Sequence, residues 1–79
     1  MKLTHPTNLA NFSCLETNDM TVYFSYETPI AVIKPGCFPL VSENNWKQTT
    51  GKHINYVKTH THDCQQVPHE FIMASLNTH

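Results

Sequence analysis

A series of short apolar and β-branched runs, separated by turn-forming residues, occupies positions 12–41 and constrains the fold more than any other feature. In the clearest run, residues 20–27, apolar side chains alternate with more polar neighbours, which is the period-two pattern of a strand with one buried face. Residues 30–33 are continuously apolar, as expected of a central strand covered on both faces, and Thr28-Pro29 before them predicts a bend or bulge. The region therefore favours a sheet of short strands over helices.

The turn-forming residues predict how these strands connect. A first strand over residues 12–17 is followed by Asn18-Asp19, which favours a two-residue turn and hence a hairpin. Pro35-Gly36 suits the central positions of a type II turn, where glycine supplies the positive φ, so residues 37–41 return antiparallel. Because proline cannot donate to a sheet ladder, Pro39 predicts that this last strand lies at an edge.

The pattern changes after position 41. Ser42 is predicted to cap a helical turn over residues 43–46, and Thr50 to cap a second helical segment. Residues 59–66 are polar and are predicted to form a loop. Pro68 then fits the first position of a last helix.

The chain of 79 residues is expected to form a single domain over residues 1–79. Its predicted class is α+β, a small antiparallel β-meander of three to four strands packed by one or two C-terminal helices. Since so short a domain buries little surface, a homodimer is expected to add stability. No stretch approaches the roughly 20 apolar residues that span a bilayer, and residues 1–6 lack the apolar run of a signal peptide, so a cytoplasmic protein with no membrane partner is expected.

The three cysteines are odd in number and form no Cys-x-x-Cys pair, which favours reduced thiols over a disulfide framework. All five basic residues are lysines, and the absence of arginine, whose guanidinium group binds phosphates in a bidentate manner, argues against nucleic acid as a partner.

Aromatic and basic side chains form the candidate protein-binding set: Tyr23, Trp46, Lys47, Lys52, His53 and Tyr56. Core packing of the aromatics, a solvated lysine face, and local hydrogen bonds of Thr49 and His53 beside a Thr50 cap are the simpler alternatives.

A histidine-rich segment offers a second type of site. Four zinc-compatible ligands fall within ten residues: His60, His62, Cys64 and His69. Exposed loop histidines explain the same pattern without a metal, and no cofactor is expected. A thiol enzyme built on Cys64 and a neighbouring histidine is not predicted, because so small a domain offers little concave surface.

Two segments carry a family resemblance: Tyr26-Glu27-Thr28-Pro29-Ile30-Ala31 and Thr49-Thr50-Gly51-Lys52-His53. They resemble a family of small uncharacterised proteins encoded by bacteriophages and plasmids, in which Tyr-x-Thr-Pro-Ile/Val-Ala precedes Thr-Thr-x-x-His at a similar distance. The matching positions are Tyr26, Thr28, Pro29, Ala31, Thr49, Thr50 and His53. The resemblance covers the middle half of the chain, and the histidine-rich tail from His60 departs from it.

The resemblance implies a phage or mobile-element origin and a bacterial host cytoplasm, and it supplies no catalytic residue. The first hypothesis is therefore a non-enzymatic accessory protein that binds a host or defence protein, with inhibition of a CRISPR-type system as one concrete form. The alternative is a metal- or nucleic-acid-binding regulator that uses the histidine-rich segment and the lysines.

Overall fold

The computed structural model describes residues 2–5, 11–43, 48–61 and 63–77. Within these residues six strands form one sheet in the order β1-β2-β3-β4-β5-β6, antiparallel except for the parallel pair of β5 and β6. The elements are β1 (Lys2–Thr4), β2 (Phe12–Glu16), β3 (Thr21–Ser25), β4 (Thr28–Ile33), β5 (Leu40–Ser42), α1 (Gln48–His60), β6 (Gln65–Val67) and α2 (His69–Asn77). The α+β class is confirmed, but the predicted three to four strands are too few.

The prediction that Pro39 marks a sheet edge is wrong, because β6 pairs with the outer side of β5. The Gln65 amide donates to the Pro39 carbonyl at 2.8 Å, and the Glu43 amide donates to the Val67 carbonyl at 2.8 Å. The loop prediction for residues 59–66 is partly wrong: Thr59 and His60 end α1 and Gln65 and Gln66 begin β6, whereas the described residues between them lie in neither a helix nor a strand. A strand of three residues has too few positions to show a periodic pattern.

Two predicted turns are confirmed. At the β2–β3 connection the Thr17 amide donates to the Met20 carbonyl at 2.9 Å, and the Met20 amide returns a bond to the Thr17 hydroxyl at 3.1 Å. At the β4–β5 connection Gly36 has φ 79°, and the Cys37 amide donates to the Lys34 carbonyl at 3.1 Å. Glycine reaches this φ without the steric cost that other residues meet.

The β3–β4 hairpin turns earlier than the alternation predicted. β3 ends at Ser25, which pairs with Thr28, so Tyr26 and Glu27 form the two-residue turn and Tyr26 adopts φ 58°. The predicted bulge is present, with the register shifting between Tyr23 and Phe24 so that Ile30 is the extra residue on β4. The bulge changes the direction of the strand, so that the successive side chains of Ile30 and Ala31 both join the buried cluster that packs against α1.

The two helices cover opposite faces of the sheet. Side chains directly opposite each other on paired strands share a face, and neighbours along a strand alternate. Ala31 and Val41 pack with Ile54 and Val57 of α1. The other face buries four residues, with Ile72 of α2 at the centre: Met20, Val22, Val32 and Ile72. The sheet is therefore the middle of three layers.

The sequence partly explains where α2 begins and ends. α2 begins directly after Pro68, whose carbonyl accepts the Phe71 amide at 2.9 Å. Near its C-terminal end the Lys34 ammonium donates to the Ser75 carbonyl at 2.6 Å, a favourable place for a cation. Ser42 is buried in β5, and most of the helical turn predicted after it lies outside the described residues. Neither described helix is long and apolar enough to cross a membrane.

Candidate functional site

Helix α1 presents two stripes of residues with opposite environments. Its inner stripe is buried against the sheet: Thr50, His53, Ile54 and Val57. Its outer stripe follows the spacing i, i+3, i+4, i+7, i+8 and consists of Lys52, Asn55, Tyr56, Thr59 and His60. We name this outer stripe the Lys52–His60 face. At 3.6 residues per turn both stripes follow directly from the sequence spacing.

A buried polar network joins the inner stripe to the sheet. The His53 Nδ1 atom lies 2.7 Å from the Ser25 hydroxyl, which lies 2.9 Å from the Thr50 hydroxyl. The His53 side chain is 0% exposed, and its ring stacks on the Phe12 ring with centroids 4.8 Å apart. Because hydrogen bonds have narrow geometry, this network fixes the rotation and position of α1 over β3.

The network corrects the sequence interpretation of Thr50 and His53. Thr50 lies within the first turn of α1 rather than before it, and both side chains contact Ser25 across the fold. His53 was a candidate partner-binding residue, but it is fully buried and acts by positioning the helix. Ser25 and His53 have the chemistry of a nucleophile and a base, yet at 2% and 0% exposure they offer no surface to a substrate.

The Lys52–His60 face is organised around Tyr56. Its ring stacks on the His60 ring, with centroids 4.0 Å apart and planes 23° from parallel, and meets the Phe12 ring edge-on at 5.2 Å. The His60 Nδ1 atom lies 2.9 Å from the Tyr56 carbonyl oxygen. Together the five residues line a shallow concavity of about 290 Å³. Tyr56 thus links the core to the Lys52–His60 face.

The charge of α1 is of one sign. The helix has 13 residues with no aspartate or glutamate, whereas the whole chain has a net charge of −1. Lys52 and Lys58 are exposed, and Lys58 lies in the last turn, where a cation interacts favourably with the helix dipole. The Lys52–His60 face is therefore an aromatic and cationic surface on a protein that is acidic overall.

A model of a family of unknown function (DUF8033) matches residues 1–72. The chain belongs to this family. The matched part contains the whole sheet and all of α1, so the DUF8033 region includes the buried network and the Lys52–His60 face. Searches of curated proteins and of solved structures gave no match.

The remaining candidate binding residues of this DUF8033 protein lie in different environments. Tyr23 is half-buried, and its ring stacks on the Phe12 ring at 5.7 Å. Burial, followed by the neighbouring Cys14, raises the pKa of Tyr23, so it remains a neutral packing group. Trp46 and Lys47 lie outside the described residues. The structure thus brings Lys52 and Tyr56 together on one face and directs Tyr23 towards the core.

The zinc-compatible residues make separate contacts. The Cys64 thiol donates to the Thr61 carbonyl at 3.1 Å, and burial raises the pKa of Cys64, which disfavours the thiolate that metals bind. The His69 Nε2 atom lies 3.0 Å from the Pro29 carbonyl oxygen. Within the part of the chain that the structure describes, no three His, Cys, Asp or Glu residues could hold a metal ion; His62 lies outside that part.

Two features of the site escaped the sequence interpretation, and each had a signal. Thr50 and His53 continue the helical stripe of Ile54 and Val57, so their spacing already places them on the buried side. Ser25 lies two residues after Tyr23 on β3, and hence on the same face of the sheet. No local pattern, however, pairs a serine with a histidine 28 residues away.

Proposed function

We propose that this protein acts by binding an acidic surface of a partner protein through the Lys52–His60 face, without catalysis. The observation that supports this most directly is the combination of exposed Lys52 with the stacked Tyr56 and His60 rings on a helix that has no acidic residue. An acidic partner surface supplies the complementary charge. Aromatic side chains supply the apolar contact that dominates binding energy at protein interfaces.

The buried network supports the same proposal because it prepares the face for binding. His53, Ser25 and Thr50 hold α1 on the sheet, and Tyr56 is braced from below by Phe12. A surface that is already ordered loses less conformational entropy when it binds. The network and the face then have one joint role, since the first positions the second.

The family resemblance of the sequence supports a more specific form of the proposal. Its two segments, which include Tyr26 and His53, resemble proteins encoded by bacteriophages and plasmids. The partner we propose is accordingly a host or defence protein in a bacterium, and the action is inhibition by occupation of its surface. Inhibition of a CRISPR-type system is the concrete form to test first, by counting plaques of a targeted phage on cells that express the protein.

The binding proposal is tested by capture from a bacterial lysate on immobilised wild-type protein and two charge-reversal variants. Lys52→Glu changes the proposed face, while Lys58→Glu makes the same change at an exposed position of the same helix outside it. We expect one protein to be retained by the wild type and by Lys58→Glu and lost with Lys52→Glu. Because exposed charges are screened by salt, retention should also weaken as salt increases.

The outcomes of the capture experiment distinguish a protein partner from a nucleic-acid partner. Captured material that disappears after nuclease treatment would identify nucleic acid as the partner and overturn the proposal. Equal retention by all three proteins would also overturn it, since binding would not then involve the Lys52–His60 face. Circular dichroism of Lys52→Glu serves as the folding control.

A further inference from the structure

The face of the sheet opposite α1 carries an apolar row that its helix covers only in part. Residues directly opposite each other across five strands form this row: Leu3, Leu15, Val22, Val32 and Leu40. Val22 and Val32 are buried with Ile72 of α2, which packs mainly against β4 and β5. At the β1 end, Leu15 is half-buried and Leu3 is 64% exposed. The row therefore ends in an exposed leucine.

The same place is also an edge of the sheet. β1 is the first strand in the sheet order, so the described structure pairs only its inner side, with β2. An edge strand presents backbone amide and carbonyl groups that another strand can bind. An exposed apolar side chain and the outer edge of the sheet, as far as the described residues show it, thus coincide at Leu3.

We propose that β1 pairs antiparallel with β1 of a second copy of this chain, about a two-fold axis at Leu3. This arrangement makes one sheet continuous through both copies. Leu3 then lies opposite Leu3 of the second copy, and the apolar row continues from Leu15 of one copy to Leu15 of the other. Backbone hydrogen bonds and apolar contact are both provided by the same pairing.

The second copy fits this edge better than an unrelated strand because the pairing is self-complementary. A two-fold interface uses the same patch on both chains, and antiparallel strands satisfy that symmetry. The axis is perpendicular to the sheet, so both α1 helices lie on the same side of the joined sheet. A dimer therefore carries two copies of the Lys52–His60 face on the same side of the joined sheet. The pairing of the β1 strands does not depend on the proposed function of that face.

Sedimentation analysis over a range of protein concentrations tests the dimer. The variant Leu3→Asp places two carboxylates opposite each other in an antiparallel pair and removes the apolar contact from both copies. We expect the dimer dissociation constant to rise roughly 100-fold or more, because the loss occurs twice per dimer. Phe38→Asp is the matched control, since Phe38 is also 64% exposed but lies between β4 and β5. Its dimer should be unchanged.

A second variant keeps the proposal testable if Leu3→Asp does not fold. In a Cys37→Ser background, which removes the exposed native thiol, Leu3→Cys places two thiols across the two-fold axis. Mild oxidation should then give a covalent dimer that retains the wild-type circular dichroism spectrum. A wild type that is monomeric at every concentration, a Leu3→Asp protein that still dimerises, or a Leu3→Cys protein that gives no covalent dimer would each overturn the proposal.

Discussion

The two sides of the sheet are built by different means. On the α1 side, rings and polar groups interlock, with His53 stacked on Phe12 and bonded to Ser25. On the α2 side, the buried apolar cluster is aliphatic apart from Met20, with Ile72 packed together with Val22 and Val32, and the buried Ser42 hydroxyl donates to the carbonyl of its neighbour Glu43. The first kind of packing is directional, whereas the second mainly requires that volume be filled.

This difference indicates where the fold tolerates change. An aliphatic cluster accepts substitutions of similar volume, since no particular orientation is required. A network that contains Ser25, Thr50 and His53 loses a partner with each substitution, and a buried polar group without a partner destabilises the protein. The face proposed to bind a partner therefore lies on the helix whose position is specified most narrowly.

The largest effect that this comparison predicts is at Phe12. This ring is 0% exposed and contacts the rings of Tyr23, His53 and Tyr56. Phe12→Ala should lower the free energy of unfolding by about 3–5 kcal/mol, because it leaves a cavity at the centre of the α1 side. Urea denaturation measures this, with exposed Phe38→Ala as a control expected to change it by less than about 0.5 kcal/mol. A loss below about 1 kcal/mol at Phe12 would contradict the comparison.

A smaller effect is expected when the network loses its central hydroxyl. Ser25→Ala should lower the free energy of unfolding by about 1–3 kcal/mol, since His53 and Thr50 lose the group that both contact. Ser13→Ala, at a half-buried position of β2, is the control and should change it by less than about 0.5 kcal/mol. Equal effects of the two substitutions would show that the network adds no stability.

The α2 side should tolerate reshaping. Ile72→Leu conserves volume at a fully buried position, and we expect a loss of less than about 1.5 kcal/mol in thermal or urea denaturation. The corresponding change on the other side, His53→Phe, keeps a ring but removes one of the two polar partners of Ser25, so it should destabilise the protein more. If Ile72→Leu proves the more damaging of the two, the contrast between the sides is wrong.

The last effect appears only at high pH and should also come from the α1 side. Burial raises the pKa of Cys14 and of Cys64, and both lie on that side of the sheet. Above the ordinary cysteine pKa of 9.0, the unfolded chain loses these protons while the folded chain keeps them, so stability should fall as pH rises. Unfolding midpoints measured from pH 7 to pH 10 check this.

The control for the pH effect replaces the two buried thiols separately. Cys14→Ala and Cys64→Ala should each reduce the loss of stability between pH 9 and pH 10 relative to the wild type. A pH dependence equal to that of the wild type in both variants would point to groups elsewhere in the protein.

Much of the central fold was predictable because its determinants are local. Period-two alternation indicated β3, the apolar run indicated β4, and Gly36 at φ 79° confirmed the turn after it. These predictions needed only the geometry of one element at a time. For the candidate site, Lys52 and Tyr56 were named among six candidate binding residues, and the structure shows that they share one face of α1.

The amino-acid sequence by itself determined the α+β class and the order of the main elements. Only the tertiary structure decided that β1 and β6 are strands, that β5 is internal, and that His53 bonds to Ser25. The physical reason is that short edge strands and a bond across 28 residues depend on partners that are distant along the chain. Local spacing determines which side of an element a residue occupies, whereas the fold determines what it meets there.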